Sequence, residues 1–88
     1  MKYEVSLETR ANKQLERLAD PELKRVFAAL DALALAPRPA GVKKLKGKHS
    51  GLYRVRVGDI RILYRVDDSA RQVQVWEMGK RPSVYRKK

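Results

Sequence analysis

From Lys2 to Leu7 apolar and polar residues alternate, Tyr3, Val5 and Leu7 against Lys2, Glu4 and Ser6, which predicts a short strand. Thr9 is placed to cap a helix, and after it Ala11, Leu15, Leu18 and Ala19 recur at helical spacing. Asp20-Pro21 restarts the chain as a second helix, with Pro at the first helical position and Glu22 suited to the positive end. Leu23, Val26, Phe27, Leu30, Leu33 and Ala34 form one apolar stripe, and Pro37 and Pro39 stop it, so the two helices make a hairpin. A loop then runs from Ala36 through Gly51. From Leu52 onward the period changes to two. Tyr53, Val55 and Val57 alternate with Arg54 and Arg56, Gly58-Asp59 signals a two-residue hairpin, and Ile60, Ile62, Tyr64 and Val66 alternate with Arg61, Leu63 and Arg65. Asp67 to Ala70 turns the chain, Val73 and Val75 continue the apolar face, and Gly79 and Pro82 end the sheet before the tail SVYRKK.

The predicted order is β-α-α-β-β-β in the α+β class: a helical hairpin on one face of a small antiparallel sheet, followed by a short C-terminal tail. The helices are expected to cover Tyr53, Val55, Ile62, Tyr64, Val73 and Val75. A two-residue turn at Gly58-Asp59 pairs Val57 with Ile60 and sets Arg56 opposite Arg61, Arg54 opposite Leu63 and Arg65 opposite Leu52. Like charges directly opposed cost about 0.2–1 kcal/mol. One such arginine reads equally well as a solvated face. Arg54, Arg56, Arg61 and Arg65 together, with no acid among them, read better as a surface for phosphate, because guanidinium grips phosphate oxygens in pairs and stacks on bases.

Charge sharpens this picture. The 88 residues carry a formal charge of +11, from 21 Lys and Arg against 10 Asp and Glu. Residues 1–42 hold seven basic and six acidic side chains, and residues 43–88 hold fourteen and four, so the excess lies in the second half. That balance excludes a basic partner and argues for a polyanion. Lys43, Lys44, Lys46 and Lys48 in the loop read as charges that track a phosphate backbone, or as solvation alone. Trp76 shares the parity of the exposed residues and is either a stacking platform or a half-buried structural tryptophan. The length suits one domain, 1–88, and 43% hydrophobic content is too much for a disordered basic tail. Without cysteine there is no disulfide, thiol catalysis or thiolate metal site. The longest apolar stretch, Val26 to Ala36, contains Asp31 and falls short of the ~20 residues that span a bilayer. The N-terminus shows a strand pattern instead of a signal peptide, and a cytoplasmic protein is expected, with no membrane partner.

The inventory narrows the chemistry. Two-metal hydrolysis needs clustered carboxylates, and beyond residue 42 there are Asp59, Asp67, Asp68 and Glu77, the aspartates all in turns. A histidine acid–base pair is impossible with His49 alone, and His49 in a Gly/Ser loop reads as a bystander. Catalysis, if present, runs on arginine, lysine and tyrosine, with neither metal nor cofactor. RNA permits this, since its 2′-hydroxyl can attack the adjacent phosphate while the protein holds the geometry and neutralises the transition state. Tyr85 follows Arg81 by four residues and precedes Arg86, a cationic setting that favours the phenolate; otherwise it is a packing residue.

The stretches LKG, GLYRVRVGDIRILYRVDD and VQVWEMGKRPSVYR, in the order strand, helix pair and meander, resemble the RelE/ParE toxin superfamily of bacterial toxin–antitoxin systems over nearly the whole chain. RelE-type members cleave mRNA in the ribosomal A site, and an antitoxin neutralises them by wrapping around the toxin. The resemblance implies that the family's basic strand pair falls on Arg54 and Arg56, its central strand arginine on Arg61, the arginine after the last strand on Arg81 and the C-terminal tyrosine on Tyr85. It implies that Arg61 and Arg81 stabilise the scissile phosphate, Arg81 near the leaving 5′-oxygen, while Tyr85 orients or deprotonates the 2′-hydroxyl. The lysine loop, Lys44 and Lys46 above all, then contacts ribosomal RNA. Well-known RelE-type members carry lysines where this chain has Arg54 and Arg56. Arginine, with a pKa above ~12, does not serve readily as a general base, so that role passes to Tyr85 or catalysis is mainly electrostatic.

Two rival functions share these features: a ParE-like inhibitor of DNA gyrase without nuclease activity, and a non-enzymatic basic module for nucleic acid. ParE-type chains generally lack the joint set Arg61, Arg81 and Tyr85, which favours the nuclease. The expected partners are ribosome, mRNA and a cognate antitoxin, acidic enough to mask a charge of +11 and partly disordered until bound.

Overall fold

The structure, a computed structural model, describes residues 2–47 and 50–80. Its elements run β1 (Glu4–Leu7), α1 (Thr9–Glu16), α2 (Asp20–Leu35), β2 (Lys43–Lys44), β3 (Tyr53–Val57), β4 (Ile60–Asp67) and β5 (Gln72–Gly79). They form a single five-stranded sheet in the order β1-β5-β4-β3-β2 with both helices packed on it. The α+β class, the helical hairpin and the element order agree with the sequence reading. Two details differ. β1 joins β5 in parallel, Glu4 beside Gln72 through Leu7 beside Val75, so the sheet is mixed instead of antiparallel throughout. Within the predicted loop, Lys43 and Lys44 add a two-residue edge strand to β3, too short for any periodicity to announce.

Glu8 and Ala19 hold the N-cap positions, one residue before Thr9 and Asp20, and neither caps with its side chain. At α2 the cap is supplied from inside the helix: the Glu22 carboxylate accepts from the Ala19 N–H, the reciprocal half of a capping box. The core between helices and sheet is built from Ala11, Leu15, Val26, Leu30 and Leu33 above and Ile60, Ile62, Tyr64, Val73, Val75 and Met78 below. Each large aliphatic residue fully buried there contributes roughly 1.5–3 kcal/mol. Tyr53 and Val55 pack against this core as expected. Phe27, at the margin of the α2 stripe, stays 49% exposed.

The hairpin turn falls at Gly58-Asp59, where Gly58 takes φ +62°, and the chain reverses again after Asp67, whose carboxylate accepts from the Ala70 N–H at 3.0 Å. The β4–β5 ladder slips once: Leu63 faces Glu77 but Tyr64 faces Val75, leaving Trp76 as an extra residue in β5. This bulge moves the buried parity from Val73 and Val75 to Met78. Beyond the end of β1, the edge of β5 is completed by α1. Gln14 Oε1 accepts from the Met78 N–H at 2.8 Å, and Arg10 binds Glu77 at 2.5 Å. At the far end of β4 a polar cluster ties the chain after α2 to the sheet. Asp68 accepts from the Tyr3 hydroxyl at 2.6 Å and from two nitrogens of Arg38, Arg38 Nε donates to the Tyr53 hydroxyl, and Tyr64 donates to the Pro37 carbonyl at 2.7 Å. Burial pushes the Tyr64 phenol up to about 12, and the Arg38 guanidinium holds the Asp68 carboxyl below its ordinary value. Among the described residues no helix is long and apolar enough to cross a membrane.

Candidate nucleic-acid interface

The sheet face turned away from the helices is laid out by the ladder. Partners in an antiparallel pair share a face, so three rows can be followed across it. Arg56 opposes Arg61, which opposes Gly79. In the next row Lys43, Arg54, Leu63 and Glu77 stand side by side. In the third, Arg65 opposes Gln74, which lies beside Ser6. Arg54 and Arg56 are about 7 Å apart along β3, and directly opposed residues about 4.5–5.5 Å apart across the ladder. The sequence-derived register of the hairpin, with Arg56 against Arg61 and Arg54 against Leu63, is the observed one.

Arg61 has a fixed direction. Its Nη1 donates to the Lys80 carbonyl at 2.9 Å, which seats the guanidinium where β5 gives way to the segment beginning at Arg81. Lys80 is itself held by Glu22 at 2.5 Å, an ion pair that lowers the Glu22 carboxyl and raises the Lys80 ammonium from their ordinary values. The end of β5 is thus secured to α2 on one side and to Arg61 on the other. Neither bond was legible in the sequence, because both depend on the β4–β5 register downstream of the bulge. The ion pairs Arg10–Glu77, Arg38–Asp68 and Lys80–Glu22 take up none of Arg56, Arg61, Arg65 or Lys43.

The lysine loop divides. Lys43 lies on the arginine face opposite Arg54, whereas Lys44, opposite Tyr53, has the parity of the helix-covered face; Lys46 is exposed beyond β2. Lys48, His49, Arg81 and Tyr85 lie outside the described residues. The structure therefore brings Arg54, Arg56, Arg61 and Lys43 together and sets Arg65 further along the face. Among the described residues no three His, Cys, Asp or Glu side chains gather as metal ligands.

Two features of this face escaped sequence reasoning. Leu63, in the middle of the arginines, is only 1% exposed, so the face has an apolar centre. Its parity among arginines gave no sign of that burial. The β5–β1 side also carries the carboxylates of Glu77 and Glu8, the first neutralised by Arg10 and the second accepting from Gln74 Nε2. Glu8 arrives there through the parallel docking of β1, and Glu77 through the β4–β5 register. The cationic ground is therefore the β2–β3–β4 side. Toward β5 the face becomes a shallow pocket of about 300 Å3 lined by Glu8, Leu52, Arg65, Gln74 and the half-exposed Trp76.

A helix pair on a twisted five-stranded sheet with an arginine-bearing hairpin is the architecture of the small toxins suggested by the sequence. The chain belongs to the RelE/ParE superfamily: residues 5–85 match the family model of the ParE toxin of type II toxin–antitoxin systems. Toxin RelG of Mycobacterium tuberculosis is 32% identical over 99% of this chain and all of its own length. A chain of the archaeal RelE–RelB complex from Pyrococcus horikoshii superposes with a TM-score of 0.80 at 30% identity, covering 93% of this chain and 98% of that one. A chain of the intact Escherichia coli RelBE toxin–antitoxin complex superposes with a TM-score of 0.77 at 25% identity, covering 90% and 96%.

Proposed function

We propose that this toxin is a ribosome-dependent endoribonuclease that cuts mRNA in the A site, acts in the cytoplasm and is silenced by an acidic antitoxin. The observation that supports it best is the Arg56–Arg61 pair, with Arg54 on the same face and Arg61 anchored to the Lys80 carbonyl. Such convergence costs the fold stability and suits a phosphate carrying extra negative charge. The RNA 2′-oxygen bonds to phosphorus and the bond to the 5′-oxygen breaks, leaving a 2′,3′-cyclic phosphate and a 5′-hydroxyl. One proton leaves the 2′-hydroxyl and one reaches the 5′-oxygen, so the chemistry balances without metal or cofactor. Arg61 and Arg81 neutralise the phosphorane-like transition state, Arg54 and Arg56 hold flanking phosphates, and Tyr85 handles the 2′-hydroxyl. Lys43, Lys44, Lys46 and Lys48 serve as contacts to the RNA backbone, and Arg65 also binds the RNA. The antitoxin reading is supported by the RelE–RelB and RelBE complexes among its structural neighbours.

The second reading, inhibition of DNA gyrase, is favoured by the ParE family model itself. Induced expression separates the two. Under the nuclease reading growth stops with translation, and primer extension finds mRNA cut inside codons only while ribosomes translate, both effects lost in Arg61→Ala. Intact mRNA together with inhibited DNA supercoiling establishes the gyrase reading instead.

A further inference from the structure

We propose that the pocket beside Trp76 is a base-reading subsite that accepts one unpaired guanine of the bound RNA strand; this rests on the nuclease reading above. Leu52, 1% exposed, supplies an apolar wall, and Trp76, the extra residue of the β5 bulge, offers an indole that is 43% exposed. An indole on the same sheet face as Arg65 and Gln74 offers a platform on which a base can stack. Arg65 and Gln74 are direct ladder partners, so their side chains stand together at the pocket.

The polar groups carry a pattern. Gln74 Nε2 donates to Glu8 Oε2, which fixes the amide and leaves its oxygen as an acceptor. The Glu8 carboxylate retains further lone pairs, so one wall presents adjacent acceptors and the Arg65 guanidinium presents donors. Guanine is the base whose pairing edge places two donors, N1–H and the 2-amino group, side by side. Its O6 and N7 are acceptors suited to arginine. Adenine and cytosine each offer one amino group next to an acceptor, and uracil one N–H between two carbonyls, so each leaves a Glu8 or Gln74 acceptor unanswered. The pocket lies about 13 Å along β4 from Arg61, so the base it holds flanks the linkage that Arg61 faces.

Trp76 is the sole tryptophan of the chain, so its fluorescence reports this pocket alone. The test uses the full-length toxin and short 2′-O-methyl oligoribonucleotides that differ at one base and cannot be cleaved. Total binding is followed by the anisotropy of a label on the oligonucleotide. We expect the guanine oligonucleotide to quench Trp76 and to bind about tenfold more tightly than the other three. In Glu8→Gln the four affinities should converge while the thermal transition is unchanged. Arg61→Ala, which loses cleavage under the nuclease reading, should keep the guanine preference, so the two readings fail separately. Equal affinity for all four bases, binding without quenching, no binding, or a preference that survives Glu8→Gln would each overturn the proposal.

Discussion

Arg56 and Arg61 face each other across the β3–β4 hairpin, with no carboxylate of the described ion pairs between them. Arg56→Glu should therefore raise stability by about 0.2–1 kcal/mol, read as a higher urea midpoint, while weakening binding to single-stranded RNA and its dependence on salt. A loss of stability in this variant would mean that the opposed pair is held by something other than function.

The raised Tyr64 phenol makes the fold sensitive to alkali. A folded-state value of about 12, above the ordinary 10.0, means that its contribution to stability is complete below pH 10 and is lost as pH rises through 12. Ultraviolet titration should show Tyr64 ionising together with unfolding. Tyr64→Phe should remove that step and cost about 1 kcal/mol at neutral pH through the lost bond to the Pro37 carbonyl.

At the acid end the relevant group is Asp68, held below its ordinary value by Arg38 and by the Tyr3 hydroxyl. Its contribution is present above the unfolded carboxyl value and disappears as pH falls through the lower folded one. Asp68→Asn should lower the melting temperature at neutral pH and flatten its fall below about pH 4. An unchanged acid slope would show that the contacts of Tyr3 and Arg38 with Asp68 do not persist in solution.

Gln14 stands in for a missing strand. Gln14→Leu strands the Met78 N–H and should destabilise the protein by about 1–3 kcal/mol in denaturant titration, whereas Gln14→Glu, which keeps an acceptor oxygen, should recover most of the loss. Equal effects of the two substitutions would assign the residue to packing.

What could be read in advance was whatever obeys a period. The alternation on either side of Gly58-Asp59 fixed the hairpin register, and with it the opposition of Arg56 and Arg61. The apolar stripe of α2 named Val26, Leu30, Leu33 and Ala34, all buried, though Phe27 at its margin is not. What breaks period stayed hidden. Trp76 interrupts the alternation of β5, and no local signal tells an inserted residue from a normal one. β1 was visible as a strand, but four residues cannot say which neighbour they join. The pairing of β1 with β5, and hence the place of Glu8 beside Gln74, had to come from the structure. Leu63 likewise reads as one exposed position among arginines and is buried by its surroundings.

The parallel seam between β1 and β5 also orders events during synthesis. β5 lies between β1 and β4, so β1, made well before it, has no neighbour in the sheet until residues 72–79 have followed. Helices and the β3–β4 hairpin can form as they emerge, but the layer that seats Arg61 closes last. The nascent chain thus carries its cationic hairpin in an unfinished scaffold, which gives a partner translated alongside it a head start.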